Sequence, residues 1–286
     1  MTEYKSFFKT VGGNEGSKCK YSTRLDVYGK GCQHDCSYCY AKSLLSFRGL
    51  WDAEHPAEAD LEKVRRKISK LPAGTIIRMG GMTDCFQPLE LRRKIAYETI
   101  KMLNEYGIGY LIVTKSRIIA DDKYMDVMDK DLAHIQVTVT TLDDDLYIRK
   151  NFERASLPSH RAAAIHKLED ADFDVAVRLS PLIPEYMDFD QLAAEGFQKA
   201  IVEFLRVNSW IRKWFSDVDY SDYTLREGNY WHLPLDKKIK LLDKIMVPVV
   251  SVCEDVTEHY EYWKKLNPNP DDCCNLRKGK RKNETA

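Results

Sequence analysis

The sequence predicts an α/β fold: a partial (β/α)6 barrel, with a cysteine-bearing loop near its N-terminus and a C-terminal extension. Two observations carry this. Short β-branched runs alternate with amphipathic stretches, the rhythm of right-handed βαβ units around a parallel sheet. About six such units fit between Arg24 and Lys244, fewer than the eight of a closed barrel. A splayed, partial barrel fits that count, and an open doubly wound sheet is the alternative.

The elements follow in order. A first strand around Leu25–Tyr28 leads into the cysteine loop. Further strands are expected at Thr75–Met79, Tyr110–Thr114, Ile135–Thr140, Val175–Leu179 and Ile201–Leu205, with another over Val247–Val252. Between them, Leu61, Val64, Ile68 and Leu71 keep a helical period, as do Leu91, Ile95, Met102 and Tyr106. Met125 with Met128, and Ile165 with Leu168, mark two more helices. An aromatic-rich insert, Val207 to Leu233, interrupts the rhythm. The expected organisation is an N-terminal extension (1–23), the barrel (24–246) and a C-terminal strand, helix and basic tail (247–286). In that tail Arg277, Lys278, Lys280, Arg281 and Lys282 read as a solvated face before they read as a nucleic-acid site.

Composition narrows the function classes. The 286 residues are 44% hydrophobic, enough for a sizeable core, and Lys+Arg and Asp+Glu both number 44. Duplex-binding proteins usually carry a basic excess, so nucleic acid is possible but disfavoured. Met1 to Thr10 does not read as a signal peptide, and no stretch reaches the roughly 20 apolar residues of a membrane span. Eight cysteines in a large chain without a secretion signal fit a reducing, cytoplasmic setting. Adjacent Cys273 and Cys274 read as surface thiols.

The run Gly31-Cys32-Gln33-His34-Asp35-Cys36-Ser37-Tyr38-Cys39-Tyr40 is the most informative segment. Three thiolates on one loop can hold three irons of a cubane cluster, which usually takes four cysteines. The remaining iron is left open, and open coordination positions are where metal chemistry occurs. Zinc, with His34 as a fourth ligand, is the competing reading.

The loop resembles that of the radical S-adenosylmethionine (radical SAM) superfamily. The resemblance implies a [4Fe–4S] cluster on Cys32, Cys36 and Cys39, chelation of its open iron by SAM, and one-electron cleavage of SAM to a deoxyadenosyl radical. It also implies the superfamily's partial barrel and an external one-electron donor such as flavodoxin or ferredoxin. Residues 24 to 206 are similar to the spore photoproduct lyase-like branch. The matching segments are Gly31 to Ser43, Arg78 to Pro88 with its Thr83-Asp84 and Gln87-Pro88, Val113 to Ser116, Thr138 to Thr141, Phe152 to Ser159 with Arg161, and Arg178 to Pro184.

The cofactor residues expected from these matches are Tyr38, Gly80, Gly81, Lys115, Thr138, Thr140 and Ser180. Active groups of strand–helix barrels sit where strands end. Gly80 and Gly81 either admit a ligand close to the backbone or make a turn with positive φ. The Lys115 ammonium can pair with a carboxylate, and the resemblance implies that of SAM. Thr138 and Thr140 share one face if the strand continues through both. Ser180 and Arg178 share another.

In the branch's name-giving enzyme, a cysteine just before the Thr/Ser-Asp pair donates hydrogen. Gly81 or Met82 stands near that place here, and Cys85 is a displaced donor or a buried small hydrophobe. The departure favours a small, flat substrate of the queuine type, a modified deazaguanine base, over a DNA or RNA lesion. Asp84, Glu203 and the pair Glu254-Asp255 are carboxylates able to accept from a guanine-like edge. Asp84, Cys85 and Glu203 are the expected catalytic residues. The aromatic insert is a substrate lid or a satellite core.

Overall fold

The computed structural model describes residues 7–277. The expectations for Met1–Ser6, and for Lys278, Lys280, Arg281 and Lys282 of the basic tail, lie outside the described residues.

One eight-stranded sheet organises the chain. Its strands are β1 (Phe8–Thr10), β2 (Thr23–Leu25), β3 (Ile76–Met79), β4 (Gly109–Thr114), β5 (Ala133–Thr138), β6 (Asp174–Leu182), β7 (Lys199–Phe204) and β8 (Val249–Val252). Each pairs with the next in the chain: β1 antiparallel to β2, all the others parallel. A doubly wound sheet reverses its strand order at a switch point. This order never reverses, which excludes that alternative and fits a partial barrel. β1 and β8, from the segments flanking residues 24–246, belong to the same sheet.

Alternation along each strand separates core from interior. Ile77 and Met79 are buried on either side of Arg78, Ile135 and Val137 on either side of Gln136, and Val177 and Leu179 on either side of Arg178. Period two sends the apolar set to one face and the polar set to the other. The apolar face is covered by helices. Leu61–Ile68, capped by the Asp60 carboxylate accepting from the Lys63 amide at 3.1 Å, buries Val64 and Ile68. Ile95–Glu105 buries Ile95, Ala96, Thr99, Ile100, Met102 and Leu103. Pro158–Asp170 starts with its proline in the first turn, where the missing amide costs nothing.

Three expectations shift. Leu91 and Tyr106 do not share the buried stripe of Ile95–Glu105: the left-handed Lys94 (φ 56°) breaks the chain before it, and both side chains are exposed. β5 stops at Thr138, so the strand argument does not reach Thr140. The aromatic insert folds as a helix, Ser209–Trp214, and a hairpin pairing Leu225–Glu227 with Tyr230–His232. Among the described residues, no helix is long and apolar enough to cross a membrane.

Candidate active site

A cavity of about 220 Å³ lies against the polar face of the sheet. Cys32, Cys36, Tyr38 and Cys39 line it, together with Gly80, Gly81, Asp84, Lys115, Thr138, Ser180 and Glu203. Eleven of the thirteen expected site residues therefore meet on one wall system. The other two, Cys85 and Thr140, are not on it.

The cysteine loop is held from several sides. The Gln33 amide donates to Gln87 Oε1 at 2.8 Å, Ser37 N to the Phe152 carbonyl at 2.8 Å, and Arg154 N to the His34 carbonyl at 2.7 Å. His34 Nε2 lies 3.1 Å from Asp84 Oδ2. Gly31 is obligatory, because a Cβ there would sit 1.7 Å from the Asp52 carbonyl oxygen. Cys39 caps the helix Tyr40–Phe47, its sulfur accepting from Lys42 N at 3.4 Å. A helix N-terminus favours a thiolate.

The donor set suits a metal cluster. Burial raises the thiol pKa values of Cys32, Cys36 and Cys39, with the Asp84 charge adding at Cys32 and Glu153 at Cys36. Unliganded, these groups are neutral thiols. A bound cation reverses that preference and deprotonates them outright. Among the described residues, no three His, Cys, Asp or Glu groups are placed to hold a single metal ion. A cubane spreads its thiolates farther apart than one ion does.

Glu153 is the main residue that the sequence reading passed over. It is buried with Arg161, whose guanidinium donates to it, and it also accepts from the Tyr38 hydroxyl. Cys36 Sγ lies 3.4 Å from its carboxylate. Burial opposes its charge, but Arg161 and then Lys115 outweigh that and hold its pKa down to about 2. The Tyr38 hydroxyl also meets Thr140 Oγ1 at 3.1 Å. Thr140 is thus placed to orient Tyr38, while Thr138 lines the cavity.

Asp84 and Glu203 are already occupied. Asp84 accepts from Thr114 Oγ1 at 2.8 Å, Lys115 N at 2.6 Å and Phe86 N at 2.8 Å, tying the end of β4 to the segment after β3. Glu203 accepts from Arg178 at 2.7 Å, Ser180 Oγ at 2.8 Å and Arg206 at 2.8 Å. Ionised carboxylates have about four lone-pair sites, and protein donors fill most of these. Little of either carboxylate's accepting capacity is left over for a substrate edge. Cys85 is fully buried in the hydrophobic core, the small-hydrophobe alternative of the sequence reading.

Lys115 Nζ donates to the Ser180 carbonyl at 3.0 Å and lies 5.4 Å from the centre of the Tyr38 ring. Gly80 has φ +86°, and a Cβ there would fall 2.3 Å from the Val113 carbonyl oxygen. A Cβ on Gly81 would enter the Arg24 side chain. The Gly80→Ala variant is expected to lose more than about 1 kcal/mol, read as a lower urea midpoint, because strain and overlap add. In the insert, Phe215 packs against Tyr38, with ring centres 5.6 Å apart. Trp210, Trp214, Tyr220, Tyr223, Tyr230 and Trp231 are not on the cavity wall. The insert is a satellite core backing the cysteine loop, not a lid over the cavity.

Residues 27–194 match the radical SAM superfamily. An uncharacterized protein of Methanocaldococcus jannaschii is 27% identical over 172 residues, covering 58% of this chain and 62% of that protein. An uncharacterized protein of Acidianus two-tailed virus is 24% identical over 168 residues, 54% of each chain. The chain thus spans somewhat over half the length of these curated relatives. Among solved structures, spore photoproduct lyase complexed with dinucleoside spore photoproduct is 15% identical, with TM-score 0.58, covering 84% of this chain and 83% of that one. A variant of that enzyme with bound AdoMet and the same dinucleoside is 16% identical, with TM-score 0.59, covering 83% and 82%. At these identities the likeness is one of fold.

Proposed function

We propose that this chain, which belongs to the radical SAM superfamily, is a radical SAM lyase acting on a small modified nucleobase of the queuine type. The family uses a [4Fe–4S] cluster and SAM. Bound on Cys32, Cys36 and Cys39, these supply one-electron cleavage of SAM to a deoxyadenosyl radical, with electrons from an external donor such as flavodoxin or ferredoxin.

In this reading the chain's own residues bind, orient and confine. Lys115 pairs with the SAM carboxylate, Gly80 and Gly81 leave room for its amino group, and Tyr38 and Thr138 border the nucleoside. Glu153 and Thr140 fix the Tyr38 ring. Tyr40 donates to the Gly81 carbonyl at 2.7 Å and steadies the glycine turn. A primary carbon radical abstracts hydrogen from whatever is near, so the protein's share is positioning and exclusion.

The observation that carries the substrate reading is the wall beneath the cysteine loop. Asp255 lines the cavity, and its carboxylate contacts are looser than those of Asp84 or Glu203: Arg206 at 3.3 Å and His232 at 3.9 Å. It is the acidic group on this wall best able to accept from the N–H edge of a guanine-like base. A compact, charge-balanced cavity suits such a molecule better than a duplex.

The test is anaerobic incubation of the reconstituted protein with SAM, dithionite and queuine. Substrate-dependent deoxyadenosine and an aminomethyl deazaguanine are expected. Deoxyadenosine formation indifferent to queuine would overturn the reading. Its stimulation by a damaged oligonucleotide, with salt-dependent binding, would replace it by lesion repair, a reading supported by the resemblance of the fold to spore photoproduct lyase. For Lys115→Met, SAM affinity is expected to fall about 10- to 100-fold, the equivalent of one charge-assisted hydrogen bond. Calorimetric titration with SAM measures this, and unchanged affinity would remove Lys115 from the carboxylate site.

A further inference from the structure

Four cysteines outside the CxxxCxxC loop also converge. Cys19, Cys253, Cys273 and Cys274 come from three distant parts of the chain, and all four line the same cavity as the loop. Cys253 directly follows β8, with its amide on the Val202 carbonyl at 2.8 Å. Cys19 packs with Cys273 and Cys274 around Leu111 and Val113. All are free thiols. The sequence reading of Cys273 and Cys274 as surface thiols does not hold: Cys274 is buried and Cys273 half-buried.

Their surroundings are not those of inert apolar packing. Arg78 Nη1 lies 4.0 Å from Cys19 Sγ. Arg178, donating to Gln136 at 2.7 Å and to Glu203 at 2.7 Å, lines the same cavity, as does Gln136. Two guanidiniums and an amide border the four sulfurs, not aliphatic side chains alone.

The arrangement is also pinned in place. Buried Asp272 accepts from the Tyr21 hydroxyl at 2.5 Å and from Cys274 N at 3.1 Å, joining the Cys19 segment to the Cys273–Cys274 segment. Arg277 N donates to Asp174 Oδ2 at 2.8 Å, and Lys199 Nζ to the Asn275 carbonyl at 3.2 Å. The C-terminal segment is thereby anchored at the starts of β6 and β7, the end of the barrel opposite the cysteine loop.

We propose that Cys19, Cys253, Cys273 and Cys274 hold a second iron–sulfur cluster within the barrel. Four cysteines are the usual complement of a [4Fe–4S] centre. Such a cluster has no open iron, unlike the one expected on Cys32, Cys36 and Cys39. As with that loop, the four are not gathered tightly enough for a single ion. This inference is independent of the substrate: it can fail while the lyase reading stands, and the reverse.

The test is metal content and spectroscopy of the full chain, purified and reconstituted anaerobically. The triple variant Cys32→Ala/Cys36→Ala/Cys39→Ala leaves the second group intact. It is expected to keep about half of the wild-type iron and sulfide, roughly four of each, with visible Fe–S absorbance and an electron paramagnetic resonance signal after dithionite. Adding Cys273→Ser and Cys274→Ser is expected to remove that remainder. Iron and sulfide at background in the triple variant would overturn the proposal whether or not the further substitutions fold. So would stoichiometric zinc without sulfide, or a wild-type protein with only one cluster's iron.

Discussion

The Glu153→Ala variant is expected to lose about 3–5 kcal/mol of folding stability, the usual cost of removing one partner from a buried ion pair. The cost is large because Arg161 stays behind, buried and fully charged. Tyr38 loses its acceptor in the same step. Urea unfolding near neutral pH measures the difference, and a loss below about 1 kcal/mol would show that water replaces the carboxylate. The pH dependence has a definite sign. The folded-state pKa of Glu153 is about 2, below its ordinary 4.5, so the unfolded chain takes up its proton first as pH falls. Its contribution is complete above about 4.5 and is lost as pH falls through about 2, so the gap between wild type and variant narrows over that window. Glu153→Gln, which keeps an acceptor for Tyr38, is expected to lose less than the alanine variant.

The second large effect is on chemistry. Cys36→Ala is expected to abolish deoxyadenosine formation while leaving the fold in place. The thiol lies on a loop held mainly through its own main chain, by the Phe152 carbonyl, the Arg154 amide and the Gln87 side chain, none of which needs its sulfur. The circular dichroism of the unliganded variant should match that of wild type. SAM cleavage under dithionite should fall to the level of a no-enzyme control. Retention of substantial cleavage would remove Cys36 as a cluster ligand. Loss of the folded spectrum would instead assign the residue a structural part through Glu153.

Much of this was legible in the chain. Six of the seven anticipated strands are found within a few residues of their expected bounds, because buried parallel strands need continuous β-branched runs and leave a local trace. The seventh, the first, ends early: Leu25 is its last residue. The cysteine spacing and Lys115 at the end of β4 were equally local signals. Glu153 was not, since one Glu between Phe152 and Arg154 has no period or spacing to distinguish it. Its partners Tyr38, Arg161 and Cys36 are brought to it by the fold. Arg78, Gln136 and Arg178 did carry a signal: each is a polar residue within an apolar strand, flanked by residues that go to the core.

The sequence by itself determined the strand–helix rhythm, the three-cysteine loop and the absence of a net basic charge, because each is written in neighbouring residues or in composition. Only the tertiary structure decided which carboxylates were already in use. Asp84 and Glu203 are filled by donors from neighbouring strands and the loops that follow them, while Asp255 is held more loosely. It also decided the fate of the other cysteines. Cys85 went into the core, while Cys19, Cys253, Cys273 and Cys274 met inside the barrel. More than 230 residues separate Cys19 from Cys253. No local pattern encodes such a meeting, because it depends on where the sheet places the two ends of the chain.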